Sequence, residues 1–337
     1  MHISPNSSVA DHCYVYALSD SQDKSFQKKC NHNHNERCSQ CQSLEDTING
    51  IETAINGCTF TSDQDRDEIL YLFTSAKRAI HLWKSHQLRS VRQDQARLDV
   101  IDQLDEKQVY IVNDWAMKFL PRQYRESQSD WFGKRGISWH ISVVFRRICD
   151  ELQSQGFVHI IDSCSQDSAS IVLIMQHVLK TLETEHPEIR EAFFRQDNAG
   201  CYHSTTTILA CPLIEKTTNI KISRVDFSDP QGGKGAADRL AATCKNHIRM
   251  YVNEGNNVTT AAEMEAALLS HGGVDGVRVV VIPRIQDVTV GQAEKIPGIS
   301  KLNNFVFKNG RIRAWRAYGI GRGQIIKSRS AQGKFVD

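Results

Sequence analysis

Apolar residues along the chain keep two periods, one helical and one extended, and the change between them falls near residue 107. Before it, Ser43-Leu-Glu-Asp-Thr-Ile puts Leu44, Ile48, Ile51 and Ile55 on one face. Ser43 with Asp46 resembles a capping box, so a helix is expected from Ser43 to Gly57. From Asp63 to about Leu104, Ile69, Leu72, Phe73, Ala76, Ile80, Trp83 and Leu88 recur at three- and four-residue spacing. The pattern thins after Leu88 into Arg89-Ser-Val-Arg-Gln-Asp-Gln-Ala-Arg. That predicts a helical arm broken or solvated near its middle, with two core helices of one bundle as the alternative. Residues 1 to about 29 keep no period; Cys13-Tyr-Val-Tyr-Ala-Leu18 reads as one short strand, and the start reads as a cut into a longer protein.

Beyond Gln108 the pattern predicts strands at 109–114, 136–145, 158–162, 192–197 and 220–227, and helices at 167–185, 204–215 and 236–252. The order β-β-β-α-β-α-β-α implies an α/β fold, a mixed sheet with helices on its faces. A helix over 259–270 and a strand over 276–282 are expected as an appended αβ unit.

Composition changes this picture in two places. The 337 residues carry 41 basic and 39 acidic side chains, but nine of the cations (Lys301, Lys308, Arg311, Arg313, Arg316, Arg322, Lys327, Arg329, Lys334) and only Asp337 of the acids fall in 301–337. The other 300 residues therefore hold 32 basic and 38 acidic groups, so a near-neutral total hides a basic tail on an acidic body. Four of the ten cysteines (Cys13, Cys30, Cys38, Cys41) lie in the first 41 residues, which favours metal binding in a reducing compartment over a disulfide scaffold. No apolar run approaches the roughly 20 residues of a bilayer span, and the start lacks a signal-peptide pattern, so an intracellular location without a membrane partner is expected.

Three acids stand at element ends where side chains can converge: Asp114, Asp197 and Asp238. Carboxylates gathered at neutral pH repel one another unless a cation sits between them. Hard oxygen ligands suit Mg2+ or Mn2+, and two such ions can activate an attacking oxygen and stabilise a leaving one in phosphoryl transfer. Here the sequence resembles a family. Asp197-Asn198-Ala199-Gly200 after an apolar strand looks like the Asp-Asn-Gly of retroviral integrases and related transposases. Asp229-Pro230-Gln231-Gly-Gly-Lys-Gly235-Ala-Ala-Asp238 looks like their segment of Asn-Pro-Gln, Gly and a final Glu. The resemblance covers roughly residues 108–252. It implies a ribonuclease-H-like mixed five-stranded sheet flanked by helices, in a transposon-derived protein, with Asp114, Asp197 and Asp238 as ligands of two Mg2+ or Mn2+ ions. This sequence departs from the family in having Asp at 238 where Glu is usual and one extra residue in the glycine segment. Asp229 is the competing third ligand, and Asp162 is a further acid.

Gly232, Gly233 and Gly235 lead into a helix N-terminus flanked by Lys234 and Arg239, which favours an anion. Gly-Gly-Lys-Gly lacks the spacing of a P-loop. His203, six residues past Asp197, either touches the site or serves as a core histidine. Between Cys30 and Cys41, five thiols and imidazoles fall in twelve residues, with a CxxC at Cys38 and Cys41. They predict a structural zinc knuckle on Cys30, His32, Cys38 and Cys41, with His34 as alternate and Cys13 or His12 as further contributors. In the tail, Phe305, Phe307, Trp315 and Tyr318 interleave with cations and a Gly-Ile-Gly-Arg-Gly run at 319–323, a pattern for phosphate and base contacts through Arg311, Arg313, Trp315 and Arg316 or for a tail anchored to its own domain.

The expected organisation is a zinc knuckle over 1–42, a helical arm over 43–106, a catalytic domain over 107–255, the αβ unit over 256–300 and the basic aromatic tail over 301–337. The expected function is transposase- or integrase-like cleavage and strand transfer on DNA, in the nucleus, with self-association open. The alternatives are an inactive, domesticated nucleic-acid- or protein-binding chain and a nuclease acting on RNA or hybrids.

Overall fold

The computed structural model describes residues 3–132, 134–161, 166–229, 235–282 and 295–326. Two compact units emerge, one from Met1–Gln95 with Trp315–Gln324 and one from Ala96–Ala314 with Ile325–Asp337.

In the first unit, α1 (Tyr14–Ala17) is a single helical turn where a strand was expected. Tyr-Val-Tyr carries strand propensity, but Ala17 and Leu18 donate their N–H groups back to the Cys13 and Tyr14 carbonyls, and this closes a turn. Helix α2 (Ser39–Gly57) starts four residues before Ser43, and its N-cap is Cys38 rather than a serine capping box. Helix α3 (Asp63–Gln103) runs unbroken for 41 residues through the polar middle where a broken or solvated stretch was expected. Arg and Gln are good helix formers, so loss of the apolar stripe does not interrupt the backbone.

The tail segment 315–324 belongs to this same unit. Ala317 and Ile320 pack with Cys13 and Val15 in its small core. Arg92 lies over the Tyr14 and Tyr318 rings at 4.5 and 4.7 Å, and its Nε donates to the Tyr318 carbonyl. Gly321 has φ +78, and a Cβ there would sit 2.4 Å from the Ser25 carbonyl, so glycine is needed for close approach of backbone to backbone.

The second unit is built on β1 (Gln108–Trp115), β2 (Ser138–Ile148) and β3 (Glu151–Ile161), with the short α4 (Gln128–Trp131) between β1 and β2. Then follow α5 (Ser168–Glu185), β4 (Glu191–Gln196), α6 (Thr205–Thr218), β5 (Lys221–Phe227), α7 (Ala236–Asn253), α8 (Ala261–Leu269), β6 (Val277–Ile282), β7 (Asn304–Lys308), β8 (Arg311–Trp315) and β9 (Gln324–Ile326). The strand order is β6-β3-β2-β1-β4-β5-β7-β8-β9. Its centre, β3-β2-β1-β4-β5, is the mixed five-stranded sheet the resemblance implies, with β2 antiparallel to both neighbours and β1, β4 and β5 parallel. Among the described residues the sheet has nine strands rather than five. β6 pairs parallel to β3, and β7 pairs antiparallel to β5. α8 shares one core with α7, so the segment after 256 is built into the sheet and its covering layer. The aromatic residues Phe305 and Phe307 are buried in β7.

β2 and β3 pair along their full length, from Ser138 with Ile161 to Ile148 with Glu151, across a two-residue turn. Cys149 and Asp150 in that turn have φ +49 and +65, the left-handed conformations whose twist matches a hairpin. One face of the sheet, with Ile141, Val143, Val158 and Ile160, buries against α7 and α8. The other meets α5, where His159 contacts His177 (3.1 Å) and Gln196 contacts Met175 (3.2 Å). Gly156 in β3 lets the first face pack closely: an added Cβ would lie 2.5 Å from a methyl of Leu240 on α7 and 3.2 Å from one of Val277 on β6. Among the described residues no helix is long and apolar enough to cross a membrane.

Candidate functional site

Asp114 is the seventh residue of β1, opposite Ile141, and therefore on the face that α7 covers. Asp197 immediately follows β4, the strand parallel to β1, so both carboxylates stand where neighbouring parallel strands end. Loops at the carboxyl ends of parallel strands are where α/β sheets bind ligands, because backbone diverges there and leaves a crevice. Asp238 is in the first turn of α7, and its Oδ2 accepts from the Gly235 N–H at 2.8 Å, capping the helix. Asp197 and Asp238 are exposed, whereas Asp114 is half-buried.

The electrostatics tie the three together. Burial raises the Asp114 carboxyl first, and the charges of Asp197 and then Asp238 raise it further, from 3.8 to about 7; the Trp115 N–H pulls the other way. Tyr202, nearly fully buried, has its phenol pushed up by burial and by the charges of Asp114, Cys201 and Asp197. The sequence pattern gave no sign of Tyr202, since a buried tyrosine after a turn looks like any core aromatic.

Of the competing acids, Asp229 is buried in the loop after β5. Asp162 and Lys234 lie outside the described residues, as do Gly232 and Gly233 and the cations Lys327, Arg329 and Lys334. Arg239, next to Asp238, is exposed on α7. His203 takes the core role: its Nε2 donates to the Leu302 carbonyl at 2.7 Å, and its ring stacks on Phe227 at 4.3 Å. Arg311 is exposed in β8, and Arg313 alternates with the buried Ile312 and Ala314. Two tail residues assigned to nucleic acid are engaged within their own unit instead. Arg316 reaches Asp20 (2.6 Å) and Asp23 (3.4 Å) and lies over Phe26 at 4.2 Å, while the Trp315 indole donates to the Gly321 carbonyl. The sequence could not show that these cations and acids, nearly 300 residues apart, meet.

The expected knuckle on Cys30, His32, Cys38 and Cys41 does not converge. Cys30 and His32 gather with Cys13 and His34, and Cys38 and Cys41 gather with His12. These are the groups of three or more His, Cys, Asp or Glu ligand atoms within 4.8 Å of one another among the described residues, and neither includes the aspartates. The charges of Asp197 and Asp238 thus reach Asp114, but the three carboxylates do not form a group as tight as the thiol and imidazole groups.

Residues 93–307 match the model of a family described as a domain of unknown function, DUF8701. The chain belongs to this family. No curated protein matches the chain. Similar solved structures include the human cytomegalovirus terminase nuclease domain, Mn-soaked and inhibitor-bound, at 9% identity and a TM-score of 0.22, over 56% of this chain and 72% of that one. Another is the Mos1 mariner paired-end complex with Mn, at 10% identity and a TM-score of 0.26, over 73% of this chain and 79% of that one. At such TM-scores the likeness carries no weight for function. The centre of the sheet, β3-β2-β1-β4-β5, has acids at the end of β1, just after β4 and in the first turn of α7.

Proposed function

We propose that this chain cleaves and joins DNA phosphodiesters with two divalent ions held by Asp114, Asp197 and Asp238. The observation that carries the reading is the placement of Asp114 near the end of β1, Asp197 just after the parallel β4 and Asp238 in the first turn of α7, where the charges of Asp197 and Asp238 raise the Asp114 carboxyl. Acids brought into mutual repulsion are stabilised by a cation, and hard oxygen donors suit Mg2+ or Mn2+. Two such ions, about 4 Å apart, supply an activated water or 3′-hydroxyl and stabilise the leaving oxygen. Arg239 beside Asp238 and Arg311 on β8 offer exposed cations to phosphates. The Asp-Asn-Ala-Gly and Asp-Pro-Gln-Gly-Gly-Lys-Gly segments support the same reading through their resemblance to integrases and transposases. DNA as substrate makes the nucleus the expected place of action.

The test uses the full chain with labelled duplex DNA and supercoiled plasmid in Mg2+ or Mn2+. Metal-dependent nicking or strand joining should fall by at least about 100-fold in Asp114→Asn and Asp197→Asn, the scale of losing an electrostatic stabiliser of the transition state. Undiminished cleavage in both variants overturns the reading. Preferential cutting of an RNA strand in a hybrid moves the substrate class, and the absence of Asp197-dependent Mn2+ binding turns the chain into an inactive binding protein.

A further inference from the structure

The seven thiol and imidazole ligands of the first unit are too many for one zinc knuckle, and their geometry sorts them. His12 closes a short 3-10 helix and Cys13 follows it with extended backbone (φ −84, ψ 103), so two consecutive side chains diverge and each joins a different group. Cys13 Sγ and Cys30 Sγ stand 3.7 Å apart. That is far beyond the ~2.05 Å of a disulfide. It matches the ~3.8 Å edge of a tetrahedron with zinc–sulfur bonds of about 2.3 Å. His12 Nε2 and Cys41 Sγ are 3.3 Å apart, near the ~3.6 Å edge expected between a nitrogen and a sulfur on one zinc ion.

A second, independent observation comes from His34. Its Nε2 is shut off from solvent and has no hydrogen-bond partner among the described residues, while its ring is braced by Tyr16 (4.4 Å) and His32 (4.7 Å). A buried ring nitrogen without a partner costs free energy that a metal bond would remove. His32 contacts the Ser7 carbonyl through Nε2 (3.1 Å) and the Asn31 amide oxygen through Nδ1 (3.2 Å). A metal would replace one of these contacts, and the other would anchor the ring, as ligating histidines are anchored. Each group also holds two thiols, enough as thiolates to balance one divalent ion.

We propose that this unit binds two zinc-class ions, one on Cys13, Cys30, His32 and His34, and one on His12, Cys38 and Cys41 with solvent as its fourth ligand. Asp11, beside His12, is the nearest acid in sequence to the second group, but its Oδ2 is held by Lys84 at 2.8 Å. The first site has the four protein ligands of a closed structural centre; the second keeps the open position that characterises reactive zinc.

The test titrates Co2+ into the reduced, metal-free full chain, reading thiolate-to-cobalt charge transfer, which the aspartates do not produce. In parallel, zinc protection of each cysteine from alkylation is read by peptide mass spectrometry. Charge transfer should saturate at two equivalents, and Cys13, Cys30, Cys38 and Cys41 should all be protected, while the exposed Cys58 and Cys149 remain reactive. Cys30→Ser should keep Cys38 and Cys41 protected, and Cys41→Ser should keep Cys13 and Cys30 protected. Saturation at one equivalent, or a reactive Cys13 at saturation, overturns the proposal; both readouts come from the unmutated chain and need no variant to fold.

Discussion

Asp114→Asn separates what the carboxylate site costs the fold from what it supplies to chemistry. The folded chain raises this carboxyl from 3.8 to about 7, by burial and then by Asp197 and Asp238. A rise of about three pH units, at ~1.4 kcal/mol per unit, means that the ionised carboxylate costs the metal-free fold about 4 kcal/mol. The folded chain binds this proton more tightly than the unfolded one. Its contribution to stability is therefore whole below about pH 4, declines as pH rises, and is lost above about pH 7. An asparagine at 114 has no such decline. In urea unfolding with chelator present, the variant should be more stable than wild type near pH 8, by up to about 4 kcal/mol, with the difference shrinking towards pH 4. Added Mg2+ should then stabilise the wild type alone and narrow the gap. A variant less stable than wild type near pH 8, or a gap indifferent to pH, would refute the reasoning.

Two further outcomes are expected. Gly156→Ala forces a Cβ to within 2.5 Å of Leu240 and 3.2 Å of Val277 and should lower stability by about 1–3 kcal/mol in the same unfolding assay, as overpacking does. In salt-dependent DNA binding, Arg311→Ala should reduce the slope of log affinity against log salt by roughly 0.9, one phosphate contact, whereas Arg316→Ala, whose guanidinium is held by Asp20 and Asp23, should leave the slope unchanged.

The elements around the carboxylates were readable because each has a local signature. β1 and β4 are short apolar strands ending at acids, α5 begins where Asp167 accepts from the Ser170 N–H, and α6 where Ser204 accepts from the Thr207 N–H. What was not readable depends on pairing over long sequence distance. β6 looks like any isolated apolar strand until β3, more than a hundred residues earlier, is found beside it. The metal ligands failed for a different reason. Spacing within 30–41 suggests one knuckle, but the division is made by His12 and Cys13, adjacent in sequence and members of different groups. Arg316 shows the same limit from the other side: its charge was legible, but the carboxylates that occupy it were not.

The β2–β3 hairpin gives this sheet an uneven cost of assembly. Its two long strands close over a turn of two residues, Cys149 and Asp150, so their pairing needs almost no loop entropy. β1 with β4 and β3 with β6 are parallel and need long crossovers before the first inter-strand bond can form. The hairpin is thus a ready template: β1, which carries Asp114, pairs antiparallel with it, and β4, which Asp197 follows, joins through the costlier parallel pairing with β1. Asp114 and Asp197 come together only through the parallel β1–β4 pairing, so their mutual repulsion weighs on the costlier step of the sheet and leaves the hairpin untouched.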